Sequence, residues 1–391
     1  MADIHQSTTG DGITVAVLDG RVNSAVADLT GADVQPHEPS YCAAETGGQP
    51  YPATSTDADA QHATSIATML VGTDAGLSGQ PGIPGIAPGV TLRTYAVYVE
   101  GQPCETPAGQ EDLADDAVRD ALGDGADIIL VPGTQQMSAD VVAEAQRAGA
   151  IVVGSAGNDG TIVTGFPATL NGVVATGTIT SDMTLDEGSV YGPRLGVVAP
   201  GAHIRALSPT WDSYGTTTGS SNAAAYTAGA LALLWSLHPD ATDGQILQAL
   251  VRTTDGEVKD AWQHDPNWGY GIVNTRVLLT VDPTTFPDEN PFVSDEPDLL
   301  PTVEQILGTS DDAGAGAEGE PADSATEEPA VAPEQDDPAS GSALPLILGA
   351  AALLVGAIGA VAFALLQRRR RTSHEIDQHE APPTYARGNH G

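Results

Sequence analysis

Lysine is nearly absent from this chain of 391 residues: Lys259 is the single one, and Lys and Arg together number 14 against 52 Asp and Glu. A formal charge of −38 argues against a nucleic-acid partner, because phosphate binding needs clustered Lys and Arg. Aromatic residues are scarce at 4%, whereas Gly and Pro number 45 and 28, so the chain is rich in small residues and turns. Cysteine is limited to Cys42 and Cys104. Two thiols allow one disulfide, which an extracellular location would favour, or they remain unpaired. Residues 1–10 are polar and contain no hydrophobic core of a signal peptide. The length suits two average domains, or one large α/β domain with appendages.

What is present is a regular alternation. Residues 13–18 form a short apolar, β-branched run that reads as a buried strand ending at Asp19 and Gly20. Residues 31–60 are rich in Pro, Gly and Thr and read as surface loop. Residues 61–70 carry Ile66, Met69 and Leu70 at helical spacing, which puts His62 near a helix start. Strands are expected at 91–99, 127–132, 151–158, 173–177 and 196–200, with helices at 113–122 and 139–148 between them. Strands and helices alternating in this way indicate a parallel sheet covered on both faces. Residues 219–229 then lead from a small polar turn into the apolar run 228–235, so a serine stands at the mouth of a buried helix.

Beyond residue 281 the composition shifts. Pro, Asp, Glu, Ala and Gly dominate to residue 342, and no Lys or Arg occurs between Arg276 and Arg368; this reads as a flexible acidic linker. Residues 343–366 hold no charge and are followed by Arg368, Arg369, Arg370 and Arg371. Roughly 20 apolar residues span a bilayer, so a single transmembrane helix is expected. The four arginines should stay cytoplasmic, which places the preceding domain outside the cell membrane and the tail 367–391 inside. A domain on that side needs an export signal, so either the start is misplaced or the natural leader is missing ahead of an N-terminal remnant, residues 1–11. The expected boundaries are 12–280 for the folded domain, 281–342 for the linker and 343–366 for the span.

Four polar residues fall at strand or helix ends on one edge of such a sheet: Asp19, His62, Asn158 and Ser221. That edge is where open α/β sheets hold ligands. Each has a plain structural explanation, as turn former, loop histidine, left-handed turn residue and helix cap. Together, in the order Asp, His, Ser, they have the chain order of subtilisin. Residues 15–19, 62–64, 155–159 and 219–224 resemble the Asp, His, oxyanion Asn and Ser motifs of subtilisin-like serine proteases. Residues 85–88, 166–168, 198–201 and 268–274 are similar too, and the likeness runs colinearly over about 12–279. With the acidic linker, the span and the basic tail, the chain most resembles the mycosins, membrane-anchored subtilases of type VII secretion systems.

The resemblance implies a subtilisin-like α/β fold with a central mostly parallel sheet and helices on both faces, plus one C-terminal transmembrane helix. It implies Ser221 as nucleophile, His62 as general base, Asp19 as its orienting acid, and Asn158 as oxyanion donor. It implies a protein or peptide substrate, neighbours in the secretion complex, and no metal or organic cofactor. The motifs depart from the family beside these residues. The family's Asp-Ser/Thr-Gly is Asp19-Gly20-Arg21, where a cation could pair with the acid; the Gly after His is Ala63. Asn222 and Ala225 replace a Met or Phe and a Pro. Pro132 removes an N–H from the substrate edge. Two readings follow: an endopeptidase of narrow specificity, or a weakly active or inactive subtilase serving as a structural part of a secretion complex.

Overall fold

The computed structural model describes residues 3–77 and 79–309. Its centre is β1 (Thr14–Asp19), nearly all of it buried, as expected of a strand with covered faces. Around it the chain lays down β2 (Val34–Pro36), α1 (Gln61–Val71), β3 (Thr91–Ala96), α2 (Leu113–Gly123), β4 (Ile128–Val131) and α3 (Ala139–Arg147). It continues through β5 (Ile151–Ser155), β6 (Val174–Ile179) and β7 (Val197–Pro200). A hairpin of β8 (Ile204–Leu207) and β9 (Tyr214–Thr217) follows. The remaining helices are α4 (Ser220–Leu237), α5 (Asp243–Arg252), α6 (Thr275–Leu278) and α7 (Val303–Leu307). The main sheet has the order β2-β3-β1-β4-β5-β6-β7, with every neighbouring pair parallel.

Strand alternation divides the core in two. Val15, Val17, Ile128, Leu130 and Val153 pack with Ile66 and Leu70 of α1 and with Leu231 and Leu234 of α4. Ala16, Leu18, Ile129, Val131 and Val152 face the other way, onto Ala117 and Val118 of α2 and Val141 and Val142 of α3. Successive side chains of a strand point to opposite faces, so the same strands serve both layers. The helix α4 is apolar on every side and buried along most of its length, the pattern of a helix inside a core. Its Gly229 admits a neighbour: a Cβ there would sit 2.7 Å from Ile86 Cγ2, so glycine lets residues 82–88 press onto the helix.

Two expectations from the sequence differ from the structure. Within 31–60, read as loop, β2 pairs with β3 at the sheet edge. It is only three residues long, half-buried and ends in Pro36, so it has no run of alternating apolar residues to signal it. The segment from 281, read as free linker, packs on the domain as far as Thr309. Phe286 and Phe292 lie against the core. Buried Asn171 donates from Nδ2 to the Ser294 and Pro301 carbonyls at 2.9 and 3.0 Å and accepts the Ser294 N–H at 2.8 Å. Gln305 of α7 donates to Asp140 of α3 at 2.9 Å. These anchors are single residues scattered among acids, and a composition average over 281–342 hides them. Among the described residues no helix is long and apolar enough to cross a membrane. The expected span 343–366, the rest of the linker and the basic tail lie outside the described residues.

Candidate active site

The carboxyl edge of the sheet gathers all four candidates. Asp19 is the last residue of β1 and 2% exposed. His62 is the second residue of α1, and its Nδ1 lies 2.9 and 2.8 Å from the two Asp19 carboxylate oxygens. Asp19 Oδ1 also accepts the Gly20 N–H at 2.8 Å. The charge of Asp19 pushes the imidazole above its ordinary value; burial opposes this, and the hydrogen bond to Asp19 and the charge of Glu100 add to the rise. Thr64, two residues on, ties this helix to the chain leaving β1: its hydroxyl donates to the Ala60 carbonyl at 2.6 Å and accepts the Asn23 N–H at 2.9 Å.

The two serines at the start of α4 have separate positions. Ser220 is fully buried, its Oγ accepts the Gly157 N–H at 3.1 Å, and its own N–H donates to Asn158 Oδ1 at 2.7 Å. Ser221 is half-buried, and its Oγ takes part in no hydrogen bond among the described residues. The fixed serine therefore stitches α4 to the turn after β5, and the next one is left with a free hydroxyl at a helix N-terminus. Asn158 is exposed, with its oxygen turned to the helix and its amide nitrogen remaining as a donor. Backbone N–H groups in the first turn of a helix are unpaired and favour negative charge.

The departures from the family motif have local explanations. Arg21 does not pair with Asp19. Its Nε donates to Asp59 Oδ2 at 2.7 Å and its Nη2 to Ser55 Oγ at 3.0 Å. Ala63 is a buried helical position, where alanine is a better helix former than glycine. Asn222 is 5% exposed and satisfied: its Nδ2 donates to the Gly201 carbonyl at 3.0 Å and to Thr217 Oγ1 at 3.2 Å. Ala225 is buried in an unbroken α4, where a proline would remove an intrahelical donor. Pro132 follows directly on β4. One residue escapes sequence reasoning altogether: Tyr98, whose ring covers Gly20 beside Asp19. Only the register of two parallel strands brings it there, and no local pattern marks it.

Cys42 and Cys104 are bonded to each other, with Cα atoms 4.5 Å apart. The bond fastens the chain beyond β3 to the segment around residue 42. Among the described residues no three His, Cys, Asp or Glu side chains converge as a metal site.

Comparison with known proteins agrees with this geometry. The subtilase family model matches residues 10–275. Subtilisin E of Bacillus subtilis (strain 168) is 31% identical over 259 residues, covering 63% of this chain and 62% of the relative. Alkaline elastase YaB of Bacillus sp. (strain YaB) is 30% identical over 284 residues, covering 70% and 67%. The chain thus spans under two thirds of the length of several subtilisins that it matches. Among solved structures, the prenylagaramide maturation protease PagA superposes with a TM-score of 0.57 at 23% identity, over 71% of this chain and 96% of that one. A lanthipeptide protease gives 0.55 at 20% identity, over 71% and 90%. At those identities the likeness is one of fold. With a parallel seven-stranded sheet, the Asp19–His62 contact at its carboxyl edge and a family match across 10–275, this chain belongs to the subtilase family.

Proposed function

We propose that this chain is a serine endopeptidase, anchored in the cell membrane by one C-terminal span with its folded domain on the extracytoplasmic side. The observation that carries the catalytic part is the 2.8 Å contact between His62 Nδ1 and Asp19, made at the same sheet edge where Ser221 lies in the first turn of α4. With Nδ1 held by the carboxylate, Nε2 is the nitrogen left to take a proton. Ser221 Oγ attacks the scissile carbonyl carbon as its proton passes to His62 Nε2. Asp19 stabilises the imidazolium that forms. The oxyanion is met by the Asn158 amide and the Ser221 backbone N–H; loss of one such donor costs about 3 kcal/mol. The C–N bond then breaks as His62 returns the proton to the leaving amine. Water, deprotonated by the same imidazole, releases the acyl group from Ser221.

The membrane part of the proposal rests on sequence: the uncharged stretch 343–366 and the four arginines after it. Its proposed setting is beside a type VII secretion complex, with a protein or peptide as substrate; the mycosin-like order of acidic segment, uncharged stretch and basic tail supports this reading. A second reading, a subtilase fold kept as a structural component of that complex, draws on Pro132, which takes an N–H from the edge just beyond β4. Incubating a mixed peptide library with the wild-type chain and with Ser221→Ala, and mapping cleavage by mass spectrometry, tests the proposal. Cuts made by the first and not by the second support it. Intact peptides with both proteins folded refute it in favour of the structural role.

A further inference from the structure

Asp19 is followed by Gly20, where the family motif has a serine or threonine, so the chain has no hydroxyl directly after its buried acid. A different strand fills that space. β3 runs parallel to β1 with Ala96 opposite Asp19, and the Val97 N–H donates to the Asp19 carbonyl at 2.8 Å. Just beyond, the Tyr98 ring folds over Gly20: a Cβ at position 20 would lie 3.2 Å from Tyr98 Cζ and 3.5 Å from its hydroxyl oxygen. The phenol thus lies against the residue that directly follows Asp19. Burial and then the Asp19 charge push Tyr98 far above the ordinary tyrosine range, which keeps its proton in place as a donor.

We propose that Tyr98 is a positioning residue, whose phenol O–H takes the place of the hydroxyl absent at position 20 and holds the Asp19 carboxylate toward His62. A carboxylate has about four lone-pair sites and no donor of its own. At 2% exposure Asp19 has almost no solvent to serve them, and the Gly20 N–H serves one. An additional donor lowers the cost of keeping the charge buried and fixes the rotamer. The segment that carries Tyr98 is itself held in place. Cys104 is bonded to Cys42, and Ala43 and Glu105 exchange backbone hydrogen bonds of 2.8 and 2.9 Å. Cys104 Sγ also lies 3.4 Å from the Val97 carbonyl oxygen. The charged and titratable groups facing His62 are Asp19, Glu100 and, across Asp19, Tyr98; Arg21 is turned away to Asp59.

The kinetic consequence rests on the endopeptidase reading, whereas the electrostatic one does not, and the experiment separates them. The His62 imidazole is titrated by NMR in the full chain carrying Ser221→Ala, with and without Tyr98→Phe. Tyr98→Phe should move His62 further upward, because loss of the O–H dipole strengthens the carboxylate's field at the imidazolium. In the chain with its serine intact, Tyr98→Phe should slow acylation by a fluorophosphonate about tenfold, the size of one hydrogen bond to a charged group. Gly20→Ser should recover part of that rate on a Tyr98→Ala background, where the ring no longer crowds the new side chain. A His62 titration and an acylation rate both unchanged by Tyr98→Phe would overturn the assignment. Should the wild-type chain not acylate at all, the endopeptidase reading falls, and the His62 titration alone still decides for or against Tyr98.

Discussion

The side-chain oxygen of Asn158 accepts the backbone N–H of Ser220 at 2.7 Å, one residue ahead of the proposed nucleophile. The bond orients the amide, so the nitrogen of Asn158 is the group left for the proposed oxyanion contact. Asn158→Leu should lower kcat by roughly 100- to 1000-fold with little change in KM. Asn158→Asp retains the acceptor for Ser220 and removes the donor, so it should fail about as badly. Steady-state kinetics on a peptide substrate decide the point; a loss under tenfold in both variants would remove Asn158 from the oxyanion site.

His62 titrates above the ordinary imidazole value of 6.5, with the Asp19 charge as the leading cause. As the proposed base it must be neutral to accept a proton, so the acid limb of kcat/KM should lie above that value. Asp19→Asn, which removes the charge, should move it down. For stability the sign is the reverse of a carboxylate's. A raised histidine contributes stability that is fully present below its unfolded value and lost as pH rises through the folded one. Thermal melts of Ser221→Ala should therefore lose more Tm between pH 6 and pH 9 than melts of the same chain with Asp19→Asn.

Arg21 and Asp59 form a nearly buried pair, with side chains 11% and 8% exposed. Removing one partner leaves the other charge unpaired, at a cost of roughly 3–5 kcal/mol, whereas replacing both with apolar residues costs much less. Arg21→Leu should thus be far less stable to urea than Arg21→Leu with Asp59→Leu. Neither should shift the His62 titration, since Arg21 does not contact Asp19. A shift of that titration would mean that Arg21 acts on the Asp19–His62 pair after all.

The disulfide joins Cys42 and Cys104 across a sequence separation of 62. Replacing both by Ala should cost about 2–4 kcal/mol, read as a lower urea midpoint. Because the bond also anchors the chain that carries Tyr98, acylation of the folded variant should slow as well. A variant with lower stability and an unchanged acylation rate would limit the bond to stability.

Much of this was legible in the residues. The strands β1, β4, β5, β6 and β7 are short apolar runs bounded by turns, and α1 carries its helical spacing openly, so Asp19, His62 and Asn158 could be placed at element ends from the chain alone. The motif alone points to Ser221 over Ser220; that Ser220 Oγ accepts the Gly157 N–H is visible only in the structure. Contacts between distant segments were not legible. Arg21 was open to pairing with the nearest acid in sequence, yet its partner lies 38 residues away on the turn before α1. Asn222 departs from the family motif, and its partners Gly201 and Thr217 are not marked in the sequence. The packing of 281–309 is hidden in the sequence because Asn171 lies 123 and 130 residues before its partners Ser294 and Pro301.

The central claim is that Ser221 is a live nucleophile served by His62 and Asp19. Its most direct measurement is the intact mass of the full-length protein after exposure to diisopropyl fluorophosphate. A single adduct should appear, map by peptide sequencing to Ser221, and disappear in Ser221→Ala and in His62→Ala while Ser220→Ala, if folded, still labels. A folded wild-type protein that gains no adduct, or carries it on another serine, would contradict the account.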